Sequence, residues 1–149
     1  MKTFQQFLRL FKKDHEVVLI PMGGSQMINA NSEGELVELT RISSKISAVI
    51  DSERSSADDP VSANRQGFIG ACKNAKISCK VLDRRAVEQY LPERAIRKVY
   101  GPAYSALTSF QKRETVSPMW PKTENWRIAR EMTAEELRAT DLGQFLEKL

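Results

Sequence analysis

Asp51, Ser52 and Glu53 stand directly after the apolar run ISAVI at positions 46–50. Two carboxylates two positions apart, where a buried strand gives way to a loop, point to the same side as long as the backbone stays extended. Such a pair offers hard oxygen ligands of the kind that Mg²⁺ and Mn²⁺ take together with water. Asp51 and Glu53 are therefore candidate metal ligands. The competing reading is a solvated acidic loop.

The other reactive side chains are fewer. His15 is the single histidine, which excludes a His-rich zinc site. Cys72 and Cys79 form no CxxC pair, so buried thiols in a reduced compartment are expected ahead of a disulfide. Residues 80–98 carry Lys80, Arg84, Arg85, Arg94, Arg97 and Lys98 against Asp83, Glu88 and Glu93. This excess suits either nonspecific phosphate binding or a solvated helix face. Arg84 and Arg85, with Arg54 beside the acidic tripeptide, are the candidate nucleic-acid contacts. Trp120 and Trp126, near Pro118 and Pro121, can stack on bases or pin a loop to the core.

These residues need a scaffold, and the bulk numbers allow one. A chain of 149 residues with 41% hydrophobic and 28% charged content suits one ordered domain. The net charge of +4 permits a polyanionic partner without requiring it. No apolar run approaches a membrane span, because VVLI is cut off by Pro21, and the amphipathic N-terminus has no signal-peptide core. A cytoplasmic protein with no membrane partner is the expectation.

Periodicity predicts the elements. Residues 3–13 read as a helix through Phe4, Phe7, Leu8 and Phe11, with Thr3 as N-cap. Residues 17–20, VVLI, read as a buried parallel strand ending in the glycine turn Met22-Gly23-Gly24-Ser25. A helix over 33–43 leads to a strand over 46–51. A helix over 63–73, weakened by Gly67 and Gly70, leads to a strand over 77–82. A short helix over 84–91 and a helix over 92–100, with Pro92 at its start and Gly101 at its end, follow. Residues 102–122 read as loop with a short helix. Residues 123–132 and 133–148 read as helices, the second opened by a Thr133/Glu136 capping box. Strands alternating with helices imply an α/β fold with a parallel sheet covered on both faces, and ligands at the carboxyl ends of its strands.

The order of motifs resembles a known family. The stretch VLDRRAVEQYLP, with Glu88 and Tyr90, resembles the R-E-x-E-N-Y-L stretch after the third conserved strand in Toprim domains of the overcoming-lysogenization-defect (OLD) type nucleases. The GGS turn after VVLIP matches the family's glycine-containing turn. Asp51-Ser52-Glu53 lies where the family has Asp-x-Asp. The tail from Lys122 onward is similar to its closing segment, where a lysine precedes a helix. The resemblance covers nearly the whole chain. Glu53 replaces an aspartate and Gln89 an asparagine. The strand ending in Glu-Gly with which such domains open has no counterpart ahead of the first helix.

The resemblance implies a Toprim-like sheet over 1–101, flanked by helices, and a proline-containing loop with C-terminal helices over 102–149 packed on that core. It implies metal-assisted phosphodiester cleavage of DNA or RNA in antiviral defence. Mg²⁺ or Mn²⁺ would be held by Asp51, Glu53 and Glu88, and Lys122 would stabilise developing charge. The competing readings are an ion pair of Glu88 with Arg84 or Arg85 and an ordinary exposed lysine at 122. No Walker A pattern occurs, so an ATPase would have to be on a partner chain or another part. A sheet without its first strand has an open edge, which implies homo-oligomers or a partner. The alternative function is a non-catalytic nucleic-acid- or protein-binding regulatory domain with a degenerate Toprim fold.

Overall fold

The computed structural model describes residues 1–23 and 27–149, and within them the chain forms a mixed α/β fold of seven α-helices and one small sheet. Helix α1 spans Lys2–Leu10, α2 Glu33–Thr40, α3 Ala63–Asn74 and α4 Glu93–Tyr100. Three short helices close the chain: α5 Asn125–Arg130, α6 Ala134–Arg138 and α7 Asp141–Glu147. Tight 3₁₀ turns at Ala30–Ser32, Val87–Tyr90, Arg113–Thr115 and Lys122–Glu124 link them.

The sheet has two parallel strands, β1 (Ser47–Ile50) and β2 (Ser78–Val81), in register from Ser47↔Ser78 to Ile50↔Val81. Its side chains alternate between two apolar clusters, as the period of a strand requires. Val49 joins the larger cluster, whose buried members include Phe7, Leu82, Tyr90, Ile96, Trp120, Ile128 and Leu142. Ala48, Ile50, Cys79 and Val81 join the smaller one, with Leu36, Phe68 and Cys72. Helices α2 and α3 supply the smaller cluster, and α1 with α4–α7 the larger. Because α3 is the crossover from β1 to β2, the strand ends after Ile50 and after Val81 share one edge of the sheet.

The expected third strand is absent. Residues 17–20 form no ladder. Val17 and Leu19 pack against the larger cluster, while Val18 is 85% and Ile20 54% exposed. A continuous apolar run promises burial on both faces, but this one half-buries alternate residues and pairs with no strand among the described residues. The three-stranded, doubly covered sheet is therefore reduced to two strands, and β1 pairs on one side only among the described residues. Of the predicted glycine turn, Gly24 and Ser25 lie outside the described residues.

Other elements shift in informative ways. The helix expected over 84–91 contracts to the 3₁₀ turn Val87–Tyr90. The tail forms three helices rather than two. Thr133 and Glu136 cap α6 reciprocally as expected, but Thr140 then accepts a hydrogen bond from Gly143 N and starts α7. A Cβ at Gly143 would lie 1.8 Å from the Leu137 carbonyl oxygen, so only glycine lets α7 fold back this closely on α6. Gly67, a helix-weakening residue by propensity, lies in a closer contact than most side chains take: a Cβ there would stand 3.1 Å from both N and Cβ of Ala30, which would have to give by a few tenths of an ångström.

Candidate functional site

The sheet edge after Ile50 is closed by hydrogen bonds between the two strand-end loops. Leu82 N donates to Ile50 O (3.0 Å) and Glu53 N to Arg85 O (2.8 Å). Between them the buried Ser52 donates from Oγ to Arg84 O at 2.8 Å. This lacing fixes Asp51 against the 3₁₀ turn that carries Glu88. Asp51 Oδ1 accepts from Val87 N at 3.2 Å, and its carbonyl oxygen accepts from Arg65 Nε of α3 at 2.6 Å.

The turn itself is held from two sides. Gln89 Oε1 accepts from Ala86 N (2.9 Å) while its Nε2 donates to Gln111 O (2.8 Å). Next to it, Tyr90 OH donates to Asp141 Oδ1 of α7 at 2.7 Å. Glu88, between these anchors, is 3% exposed. Its Oε1 has Lys122 Nζ at 2.9 Å, without a well-directed hydrogen bond, and its Oε2 has no partner. Neither Arg84 nor Arg85 pairs with it. Lys122 opens the Lys122–Glu124 turn after Pro121 and keeps its side chain 63% exposed, so it reaches in from solvent.

Glu53 departs from expectation. Its φ is +55°, so the backbone does not stay extended past Asp51, and the carboxylate turns to Arg85 Nη2 at 2.7 Å with Arg65 Nη2 at 4.0 Å. It still lies close enough to act on both Asp51 and Lys122. The structure thus gathers Asp51, Glu88 and Lys122 and sets Glu53 beside them, already paired.

Electrostatics mark this cluster as short of positive charge. Burial, then the nearby Glu88 carboxylate, push the Asp51 carboxyl up to about 6, with Glu53 adding to the rise and Lys122 and the Val87 N–H opposing it. Burial works against the Lys122 ammonium, but Glu88 first, then Asp51 and Glu53, outweigh it and hold the ammonium above its usual range. A buried carboxylate oxygen with no donor is costly, and a cation would relieve it. Among the described residues no three Asp, Glu, His or Cys side chains stand together as a ready-made metal cage. Asp51 and Glu88 fit the sparser demand of Mg²⁺ or Mn²⁺, which takes one or two carboxylates and completes its shell with water.

The three candidate arginines are used internally. Arg54 donates to the Ala57 and Asp83 carbonyls and lies over Phe110, and Arg84 donates to Gln89 O at 2.6 Å and lies over Tyr90. Arg85 holds Glu53. Farther along, Arg94 pairs with Glu136, Arg97 with Glu93 and Lys98 with Glu131, so the basic excess of 80–98 is largely neutralised. Trp120 is fully buried and donates from Nε1 to Asn125 Oδ1 (2.8 Å), which places it in the core rather than at a base-stacking surface. Both cysteines are free, and burial pushes their thiols up, that of Cys79 to about 12.

Arg65 and Ser52 escaped the sequence reading. Ser52 sits between the two acids and had a signal in that position; Arg65 lies in a helix with nothing in its spacing to mark it. No described helix is long and apolar enough to cross a membrane. No protein-family model, no curated protein and no solved structure matches the chain.

Proposed function

We propose that this chain is a divalent-metal-dependent nuclease module of Toprim type, hydrolysing phosphodiester bonds of DNA or RNA, and that Asp51 and Glu88 hold the ion. One observation carries the reading: a buried Glu88 oxygen without a partner stands near enough to a strand-end aspartate to help disfavour that aspartate's charge. The parallel β-α-β arrangement with Asp51 after β1 and Glu88 after β2 agrees with the motif order of that family. Bound there, Mg²⁺ or Mn²⁺ supplies Lewis acidity and positive charge beside the phosphate. The chain's own contributions are three. Asp51 and Glu88 fix the ion at the sheet edge. Lys122, mostly exposed and paired with Glu88, would turn to a phosphate oxygen once an ion takes its place. Glu53, held by Arg85, braces the loop instead of binding the ion directly. Hydrolysis consumes one water, breaks one P–O ester bond and leaves a phosphate monoester and a hydroxyl.

A second reading, a non-catalytic nucleic-acid- or protein-binding domain, is favoured by one observation: Glu53 and the three candidate arginines are all spent on internal contacts. Incubation with single- and double-stranded DNA and RNA in Mn²⁺ separates the two. Slow, metal-dependent cleavage that Asp51→Ala and Glu88→Gln both abolish is expected. Cleavage unchanged in both variants overturns the assignment, and binding of nucleic acid without cleavage supports the second reading.

A further inference from the structure

Glu88 is neutralised from one side only. The ammonium of Lys122 stands 2.9 Å from Oε1, and Oε2 is buried without a partner. Glu88 is also the only acid within ion-pair distance of Lys122 among the described residues. The two come from different segments: Glu88 from the rigidly anchored turn after β2, Lys122 from the turn after Pro121. One partner is buried and fixed; the other is 63% exposed on a flexible four-carbon stem. If the pair opens, Lys122 returns to water at little cost, whereas Glu88 stays behind as an uncompensated buried charge.

We propose that Lys122 is a tethered placeholder cation, and that the divalent ion enters by displacing its ammonium from Glu88 into solvent. This rests on the metal site proposed above and adds its regulation. Ammonium and ion compete for the same Glu88 carboxylate, and two cations held side by side against it repel each other. The tether keeps a positive charge against Glu88 while no metal is bound, and it makes metal affinity lower than two such carboxylates would otherwise give. Once displaced, the ammonium is left at the mouth of the site, where an anion arriving with the metal can recruit it.

The test is Mn²⁺ binding by titration calorimetry, with thermal unfolding measured alongside, on the wild-type chain and on Lys122→Met, Lys122→Gln and Lys122→Arg. Loss of the ammonium should tighten Mn²⁺ binding by roughly tenfold, because an ion pair to a buried carboxylate no longer has to be broken. Lys122→Arg should show no gain. Without metal, the Met and Gln variants should melt below the wild type, and saturating Mn²⁺ should close that gap. Lys122→Gln keeps the test alive should the Met variant misfold. Unchanged or weaker Mn²⁺ binding in the neutral variants overturns the placeholder role while leaving the metal site standing. Absence of Mn²⁺ binding in every variant, the neutral ones included, overturns the metal site and the placeholder with it.

Discussion

Two lysine–carboxylate clusters lie at the carboxyl end of the sheet, and they are opposites. At the end of β2, Asp141 of α7 is fully served: Oδ1 accepts from Tyr90 OH at 2.7 Å, and Oδ2 accepts from Lys80 Nζ at 2.8 Å and Asp83 N at 3.1 Å. Burial works against its charge, but those partners, Lys80 first, outweigh it and hold the carboxyl below its usual range. At the end of β1, Asp51 has one backbone donor on its carboxylate, its carboxyl is pushed up to about 6, and the neighbouring Glu88 keeps a bare buried oxygen. The same ingredients make a lock in one place and a cation-seeking site in the other. Satisfied polar networks order a fold; an unsatisfied one at a ligand-gathering edge is better explained by what it binds.

This contrast predicts opposite signs on mutation. Asp141→Ala should destabilise the chain most, by about 2 to 4 kcal/mol, because it strips partners from a half-buried lysine and a buried tyrosine and unpins α7. Urea unfolding at neutral pH measures it; a loss below about 0.5 kcal/mol would erase the distinction between the clusters.

Asp51→Asn should do the reverse. The native carboxyl titrates near 6 against an ordinary 3.8. The native state therefore holds a proton more tightly than the unfolded one, and stability falls as pH rises from about 4 through 6. Above that window the charge costs on the order of 1 to 3 kcal/mol in metal-free buffer. The variant should recover that amount at pH 8 and match the wild type below pH 4. A variant less stable than the wild type at pH 8 would mean that Asp51 is structural.

The smallest effect belongs to the segment that reads as a strand and is none. Val18→Lys should change stability by less than about 0.5 kcal/mol, because the side chain is 85% exposed. Val49→Lys, on β1 against the larger cluster, should cost several times more. Equal costs would restore residues 17–20 to a buried strand.

The sequence made β1, β2, α3 and α4 legible because each couples an apolar period to a clear stop: Asp51 after ISAVI, Gly101 after PERAIRKVY. VVLI misleads because apolar content reports a preference for burial, whereas a strand also needs a hydrogen-bonding neighbour, which only the tertiary fold supplies. In the tail, Thr140-Asp141 was a second N-cap signal hidden inside one continuous helical period. The candidate site was legible to a similar degree. Asp51, Glu88 and Lys122 meet although they lie far apart in the chain, and motif order pointed to them. Glu53 did not follow, since a single left-handed residue redirects a side chain and nothing in Asp-Ser-Glu announces it. The arginines look free in a linear count of charges, but loop carbonyls at the sheet edge need donors and take them.

The most direct test of the metal site is Mn²⁺ titration calorimetry at pH 8 on the wild type, Asp51→Ala, Glu88→Gln and, as a control, Asp83→Asn. Saturable binding to the wild type and the control, lost in both Asp51→Ala and Glu88→Gln, is the predicted result. Binding that survives removal of Glu88, or that is absent from the wild type and all variants alike, would contradict the site.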